Sequence, residues 1–270
     1  MLILKLLIRE LKGHFSIAGH DPRMTDLTLV NSYLNVILLL VSYVIFVKKI
    51  GPNYMAKQKA YKLKSLMRLY NIGQVMLNIY IFIGFMRHYI QHPLYNWLCM
   101  SIPKTDVSTP TMRLLHITYM CYMSKVLDLS DTVIFVLRKK NRQVSFLHVY
   151  HHVTMVWASF LYHNKFFGST FTAIGAVNSF VHILMYTYYL LSAMDIKINL
   201  DAWKPRLTEI QIIQFCYYCL KFAATLLNNT CGMSVFWLSL LLLQNMFITL
   251  MFCFFYYKTY IVKERANKIR

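Results

Sequence analysis

A chain of 270 residues with 57% hydrophobic and only 14% charged side chains has too few charges to cover a water-soluble globule, where about a quarter of residues are charged. Its 20 Tyr, 18 Phe and 16 Met are too much apolar surface for a disordered chain to leave in water. The net charge of +19, from 29 Lys and Arg against 10 Asp and Glu, fits basic loops of a membrane protein facing anionic head groups or phosphates, rather than a nucleic-acid partner.

Residues 1–12 are apolar but broken by Lys5, Arg9 and Glu10. No A-x-A-like cleavage site follows, so they read as an interfacial amphipathic helix and not as a signal peptide. A bilayer core takes about 20 mostly apolar residues per helix. Windows of that size predict an all-α membrane protein, a single domain over 1–270 with seven transmembrane helices at 27–47, 66–86, 114–137, 145–162, 169–191, 208–228 and 234–257. Eighteen of the 29 basic residues fall in the loops 48–65, 138–144 and 192–207 and in the tail. That bias places the C-terminus in the cytoplasm and the N-terminus on the opposite face. Cys216 and Cys219 sit in an apolar span without a second ligand pair, and read as packing residues rather than a zinc site. Cys99 and Cys231 both fall in non-cytoplasmic loops, where they can pair if that side is oxidising. The Asn228-Asn229-Thr230 sequon lies close to the membrane.

Ionisable groups inside spans are costly and mark function by default. The third span holds Lys125, Asp128 and Asp131. Lys125 lies about 18 Å from either end at 1.5 Å per residue, too far to snorkel. Lys125 and Asp128 are three apart on one helical face, so they can pair, and Thr132 continues that face. The fourth span opens with His148, His151 and His152, three imidazoles on one stripe. The fifth carries Asn178, His182, Tyr186 and Tyr189 on one face, and the sixth carries Thr208, Gln211 and Gln214. Measured from the cytoplasmic ends, Asp128 and His182 lie about 14 Å deep, His151 and His152 about 9–11 Å, and Gln214 about 9 Å. Four helices thus aim polar groups at one layer, which packing alone gives no reason for.

Three His at this spacing are similar to the boxes of membrane di-iron oxidases, but the other imidazoles (His88, His92, His116, His163) are scattered, which leaves too few ligands for a metal. Without metal, clustered imidazoles serve as nucleophiles and proton-transfer groups, suited to acyl transfer or enolate chemistry. The basic rim, Arg138 and Lys204 included, is a fitting dock for a phosphorylated carrier. A seven-span receptor would share the orientation but has no need of three in-line histidines.

Leu147-His148-Val149-Tyr150-His151-His152-Val153-Thr154-Met155 resembles the HxxHH signature of the very-long-chain fatty acid elongases. Lys125 to Thr132 is similar to that family's KxxExxDT, and Phe135 to Asn141 to its continuation. His182 to Tyr189 fits HxxMYxYY, Thr208-x-x-Gln211-x-x-Gln214 fits TxxQxxQ, and Gly51-Pro52-x-x-Met55 and Tyr70-Asn71 extend the likeness over nearly the whole chain. Asp128 stands where the pattern has Glu, keeping the charge but shortening the reach by a methylene.

The resemblance implies a multi-pass enzyme of the endoplasmic reticulum membrane, with six of seven helices enclosing an acyl-chain tunnel. It implies an acyltransferase that condenses acyl-CoA with malonyl-CoA to a 3-oxoacyl-CoA, with no cofactor beyond these substrates. It also leaves room for a homo-oligomer and for contacts with the other enzymes of the elongation cycle. Lys268-Ile269-Arg270 is only a partial dilysine-type signal. In roles, the resemblance implies His151 as acyl carrier, with His152 and His182 acting in decarboxylation beside His148; a rival division of labour has the histidines acting only as bases, with no covalent step. Asn178 and Lys125 become oxyanion donors, with Asp128 and Asp131 orienting Lys125 or an imidazole. Tyr186 joins the substrate contacts, and Gln211, Gln214, Tyr189, Arg138 and Lys204 line the CoA side. Towards the far face, 166–180 and 234–247 are expected to line the chain's path with bulky apolar residues alone.

Overall fold

The computed structural model describes residues 21–24, 26–91, 98–194 and 199–262. The expected amphipathic helix at 1–12, His92 and the Lys268 to Arg270 signal lie outside them. Among the described residues there is no strand. Seven long helices alternate between two ends: α1 Tyr33–Ala56, α2 Lys64–Gln91, α3 Thr109–Leu137, α4 Phe146–Leu161, α5 Thr172–Ala193, α6 Trp203–Leu227 and α7 Val235–Ile261.

Local chemistry sets their ends. Ser32 and Ser145 cap α1 and α4, their hydroxyls accepting from the Asn35 and His148 amides at 3.3 and 3.2 Å, which satisfies a donor of the first turn. Within α1, Pro52 has no N–H to give, and the helix widens into a π turn at Phe46–Ile50 just ahead of it. At the end of α3, Lys139 adopts φ 55°. The Lys140 amide closes on the Phe135 carbonyl at 2.9 Å and the Lys139 amide on Val136 at 3.0 Å, the paired bonds of a Schellman stop.

Six helices close a ring: α2 packs on α3, α3 on α4, α4 on α7, α7 on α6, α6 on α5 and α5 on α2, with α1 outside against α3 and α4. The outer faces carry exposed Leu34, Leu69, Ile83, Leu220, Leu243 and Phe254, a surface suited to lipid and not to water. Five helices, α1, α2, α5, α6 and α7, are long and apolar enough to cross a membrane. The other two expected spans form as helices but differ from these. Lys125, Asp128 and Asp131 interrupt the middle of α3, and α4 has 16 residues before it loosens into a π turn at Tyr162–Phe166.

The end opposite the basic loops is tied down covalently and by charge. Cys99 and Cys231 form a disulfide, Cα to Cα 5.7 Å, joining the α2–α3 connection to the α6–α7 turn. Arg23 grips Asp21 through Nε at 2.8 Å and Nη2 at 2.6 Å, donates to the Asp106 carbonyl at 2.7 Å, and lies 4.8 Å over the Phe167 ring. The next residue, Gly168, has φ +71°, and a Cβ there would stand 2.6 Å from Cβ of Ile102. Gly168→Ala is therefore expected to lose about 1–3 kcal/mol from overpacking on top of about 1 kcal/mol for the left-handed backbone. A thermal midpoint measured in detergent equal to wild type would refute this.

Candidate active site

The polar groups predicted from α3, α4 and α5 converge inside the ring. Lys125 Nζ donates to Asp128 Oδ2 at 3.0 Å and lies 3.1 and 3.2 Å from the two ring nitrogens of His182. His182 Nδ1 is 3.5 Å from Asp128 Oδ2. The i, i+3 spacing brings the Lys125 and Asp128 side chains together as expected, and both are almost fully buried, 4% and 3% exposed. Buried charges persist only when paired and hydrogen-bonded. Asp128 meets that condition three times over, since Gln74 Nε2 also donates to its Oδ1 at 3.1 Å and Tyr186 Oη lies 2.8 Å from the same oxygen. Tyr186 Oη reaches Asp131 Oδ2 as well, at 2.8 Å.

The three histidines of α4 divide. His148 is anchored: its Nε2 lies 2.9 Å from Thr132 Oγ1, which in turn is 2.7 Å from the Tyr43 hydroxyl of α1. Its ring lies 4.3 Å from that of His152. His151 points between Phe215 of α6 and Phe252 of α7, ring centroids 5.8 and 5.6 Å away, and 5.8 Å from His152. Its Nδ1 is buried and has no hydrogen-bond partner among the described residues. His182 lies within electrostatic reach of His151 and of His152. Among the described residues no three His, Cys, Asp or Glu side chains are grouped to hold a metal ion.

A cavity opens beside Lys125 and takes lining residues from all six ring helices. Lys125, Asn178 and Thr154 stand at one end, and Phe166, Phe171 and Phe222 at the other, with the Phe171 ring 5.5 Å from Phe166 and 4.9 Å from Phe222. Along α3 its wall runs from Lys125 back to Thr118, about 10 Å at the helical rise. The expectation that 166–180 and 234–247 line the path with bulky apolar residues alone does not hold. Thr172 and Gly175 on α5 and Gln244 and Asn245 on α7 also face the cavity. Helical periodicity turns those smaller polar residues inward and leaves Phe180, Phe236 and Leu240 exposed outside.

Other expected residues stand apart. Gln214 is buried with its Oε1 unpartnered among the described residues, and Gln211 Nε2 meets only Met185 Sδ at 3.6 Å. Tyr189 is 39% exposed and stacks edge-on against Tyr186 at 6.0 Å. Arg138 folds onto Met67, and Lys204 pairs with Asp201 at 2.8 Å. Neither is hydrogen-bonded to the buried network. Gln74, Tyr70 and Tyr43 were not singled out as site residues. Tyr70 Oη accepts from Gln74 Nε2 at 2.9 Å, and its ring lies 6.0 Å from Tyr186. The signal that marks Gln74 is a stripe of buried amides on α2, Asn71, Gln74 and Asn78 at i, i+3 and i+7.

A closed helical ring with an apolar exterior, holding an amine, a carboxylate and imidazoles at its centre, defines a multi-pass membrane protein with a buried polar centre. The ELO: GNS1/SUR4 family pattern matches residues 28–268, and the chain belongs to that family, as its four motifs implied. It is 35% identical over 214 residues to very long chain fatty acid elongase 1 of Mus musculus, covering 78% of this chain and 76% of the relative. It is 33% identical over 256 residues to very long chain fatty acid elongase 7 of Rattus norvegicus, covering 92% and 88%. Very long chain fatty acid elongase F of Drosophila simulans is 34% identical over 238 residues, covering 85% and 89%.

Proposed function

We propose that this chain is the condensing enzyme of fatty acid elongation, joining a long-chain acyl-CoA to malonyl-CoA with loss of CO2 and CoA to give a 3-oxoacyl-CoA. The names of its relatives support the pathway. The observation that carries the chemistry is the unpartnered, buried Nδ1 of His151, on a ring within electrostatic reach of Lys125 and Asp128. A buried ring nitrogen left without a partner costs about 1–3 kcal/mol, a cost that makes sense where a reactant is to meet it.

In this reading all seven helices span the endoplasmic reticulum membrane, with the basic loops and the C-terminus cytoplasmic and the N-terminus lumenal. The cavity beyond Lys125 and Asn178 is the acyl-chain tunnel. CoA phosphates dock among Arg138, Lys204 and their basic neighbours, beside Gln211, Gln214 and Tyr189. His151 takes the acyl group from its thioester, with His148 holding His152 in position. His152 and His182 promote decarboxylation of malonyl-CoA, and Lys125 and Asn178 donate to the oxyanions that develop. Asp128 fixes Lys125.

Purified protein in lipid nanodiscs, given labelled malonyl-CoA and acyl-CoAs of graded length, is expected to form labelled 3-oxoacyl-CoA with an optimum in chain length. No labelled product at any chain length would overturn the reading.

A further inference from the structure

The condensation consumes a proton. The malonyl carboxylate departs as CO2, the enolate carbon bonds to the acyl carbon, and the anion released in that exchange must be protonated, so that acyl-CoA, malonyl-CoA and H⁺ give 3-oxoacyl-CoA, CO2 and CoA. That proton has to enter a chamber whose amine and carboxylate are 4% and 3% exposed.

Tyr186 supplies the count that shows where. Its Oη lies 2.8 Å from Asp128 Oδ1 and 2.8 Å from Asp131 Oδ2, yet a phenol has one hydrogen and serves one acceptor. The second contact therefore needs a hydrogen from the carboxyl itself. Asp128 is the carboxylate of the two, because Lys125 and Gln74 already donate to it at 3.0 and 3.1 Å. No Lys or Arg lies within ion-pair distance of Asp131 among the described residues. The neighbouring Tyr70 hydroxyl directs its hydrogen to the Leu127 carbonyl at 3.1 Å. Asp131 is thus the neutral acid, donating to Tyr186, which donates to Asp128. It is also the outer member, partly exposed where Asp128 is buried, and one turn nearer the basic end of α3.

We infer that Asp131, Tyr186 and Asp128 form a proton-delivery path into the buried centre, an inference that rests on the condensation proposed above. As the Lys125 ammonium gives a proton to the anion leaving in the condensation step, Tyr186 passes its own to Asp128 Oδ1 and takes the proton of Asp131. The O–H bond of Asp131 breaks, one forms on Asp128, and the Lys125–Asp128 pair stays neutral throughout, which an apolar interior demands. Rotation of the Asp128 carboxyl then returns the proton to the amine, and water reprotonates Asp131 at its exposed edge. In this path Asp131 and Tyr186 act as relay residues, through Asp128 and Lys125.

The test uses purified wild type, Asp131→Asn, Asp131→Glu, Asp131→Ala and Tyr186→Phe. Asp131→Asn and Tyr186→Phe are expected to lower kcat about 10- to 100-fold with KM for malonyl-CoA little changed, and their rates are expected to fall more steeply in D2O than wild type. Asp131→Glu retains most of the rate, and formic acid restores Asp131→Ala in proportion to its concentration. Tyr186→Phe keeps the ring and its packing, so it reports even if the Asp131 variants misfold. Unchanged kcat in Tyr186→Phe, or a fall with no added D2O sensitivity and no rescue by formic acid, would overturn the path and leave the condensation standing. A wild type that makes no 3-oxoacyl-CoA would instead overturn the proposed function.

Discussion

Lys125→Ala is expected to lose about 3–5 kcal/mol of stability together with all elongating activity. The size of the effect comes from what is left behind. Among the described residues Lys125 is the one lysine or arginine within ion-pair distance of Asp128, so removing the amine strands a carboxylate 3% exposed. The double variant Lys125→Met, Asp128→Asn removes both charges, leaves the amide able to accept from Gln74 and Tyr186, and is expected to recover most of the stability while remaining inactive. Thermal midpoints of wild type, Lys125→Met, Asp128→Asn and the double variant complete the cycle. A Lys125→Ala protein as stable as wild type would show that the pair carries no such weight.

His151→Ala is expected to lower turnover about a thousandfold or more at a stability cost set by lost contact with Phe215, Phe252 and His152. No protein hydrogen bond to Nδ1 is given up, because none is made among the described residues. Incubating wild type with acyl-CoA alone, and weighing the intact protein, is expected to reveal an acyl adduct. His151→Ala lacks it, whereas His182→Ala forms it and stalls before condensation. Normal wild-type turnover with no adduct under any condition would assign the imidazoles to proton transfer alone.

The sequence conveys the helices well because bilayer-length apolar runs are a coarse, strong signal. It conveys their ends poorly. The first run reads as 27–47, but Leu27 and Leu29 are apolar residues in a turn, Leu29 at φ 62°, and Ser32 sets the start at Tyr33. At the other end α1 continues past Lys48 and Lys49 to Ala56, because the π turn lets the helix run on into Pro52. Within the site, Lys125 and Asp128 are legible because a charge at that depth has few ways to persist. Gln74, Tyr70 and Tyr43 are not, because amides and phenols are cheap enough in helices to carry little information singly. Nor does the i, i+3, i+4 spacing say which ring is held and which is left open. That depends on Thr132 standing opposite His148 and only aromatic rings standing opposite His151.

The reach of Tyr43 across to Thr132 and His148 means that α1, the helix outside the ring, carries a handle on the innermost chemistry. A bilayer whose thickness does not match a spanning helix can tilt it. A tilt of α1 would reach an imidazole through two hydroxyl groups, which would make bilayer thickness a mechanical input to this protein.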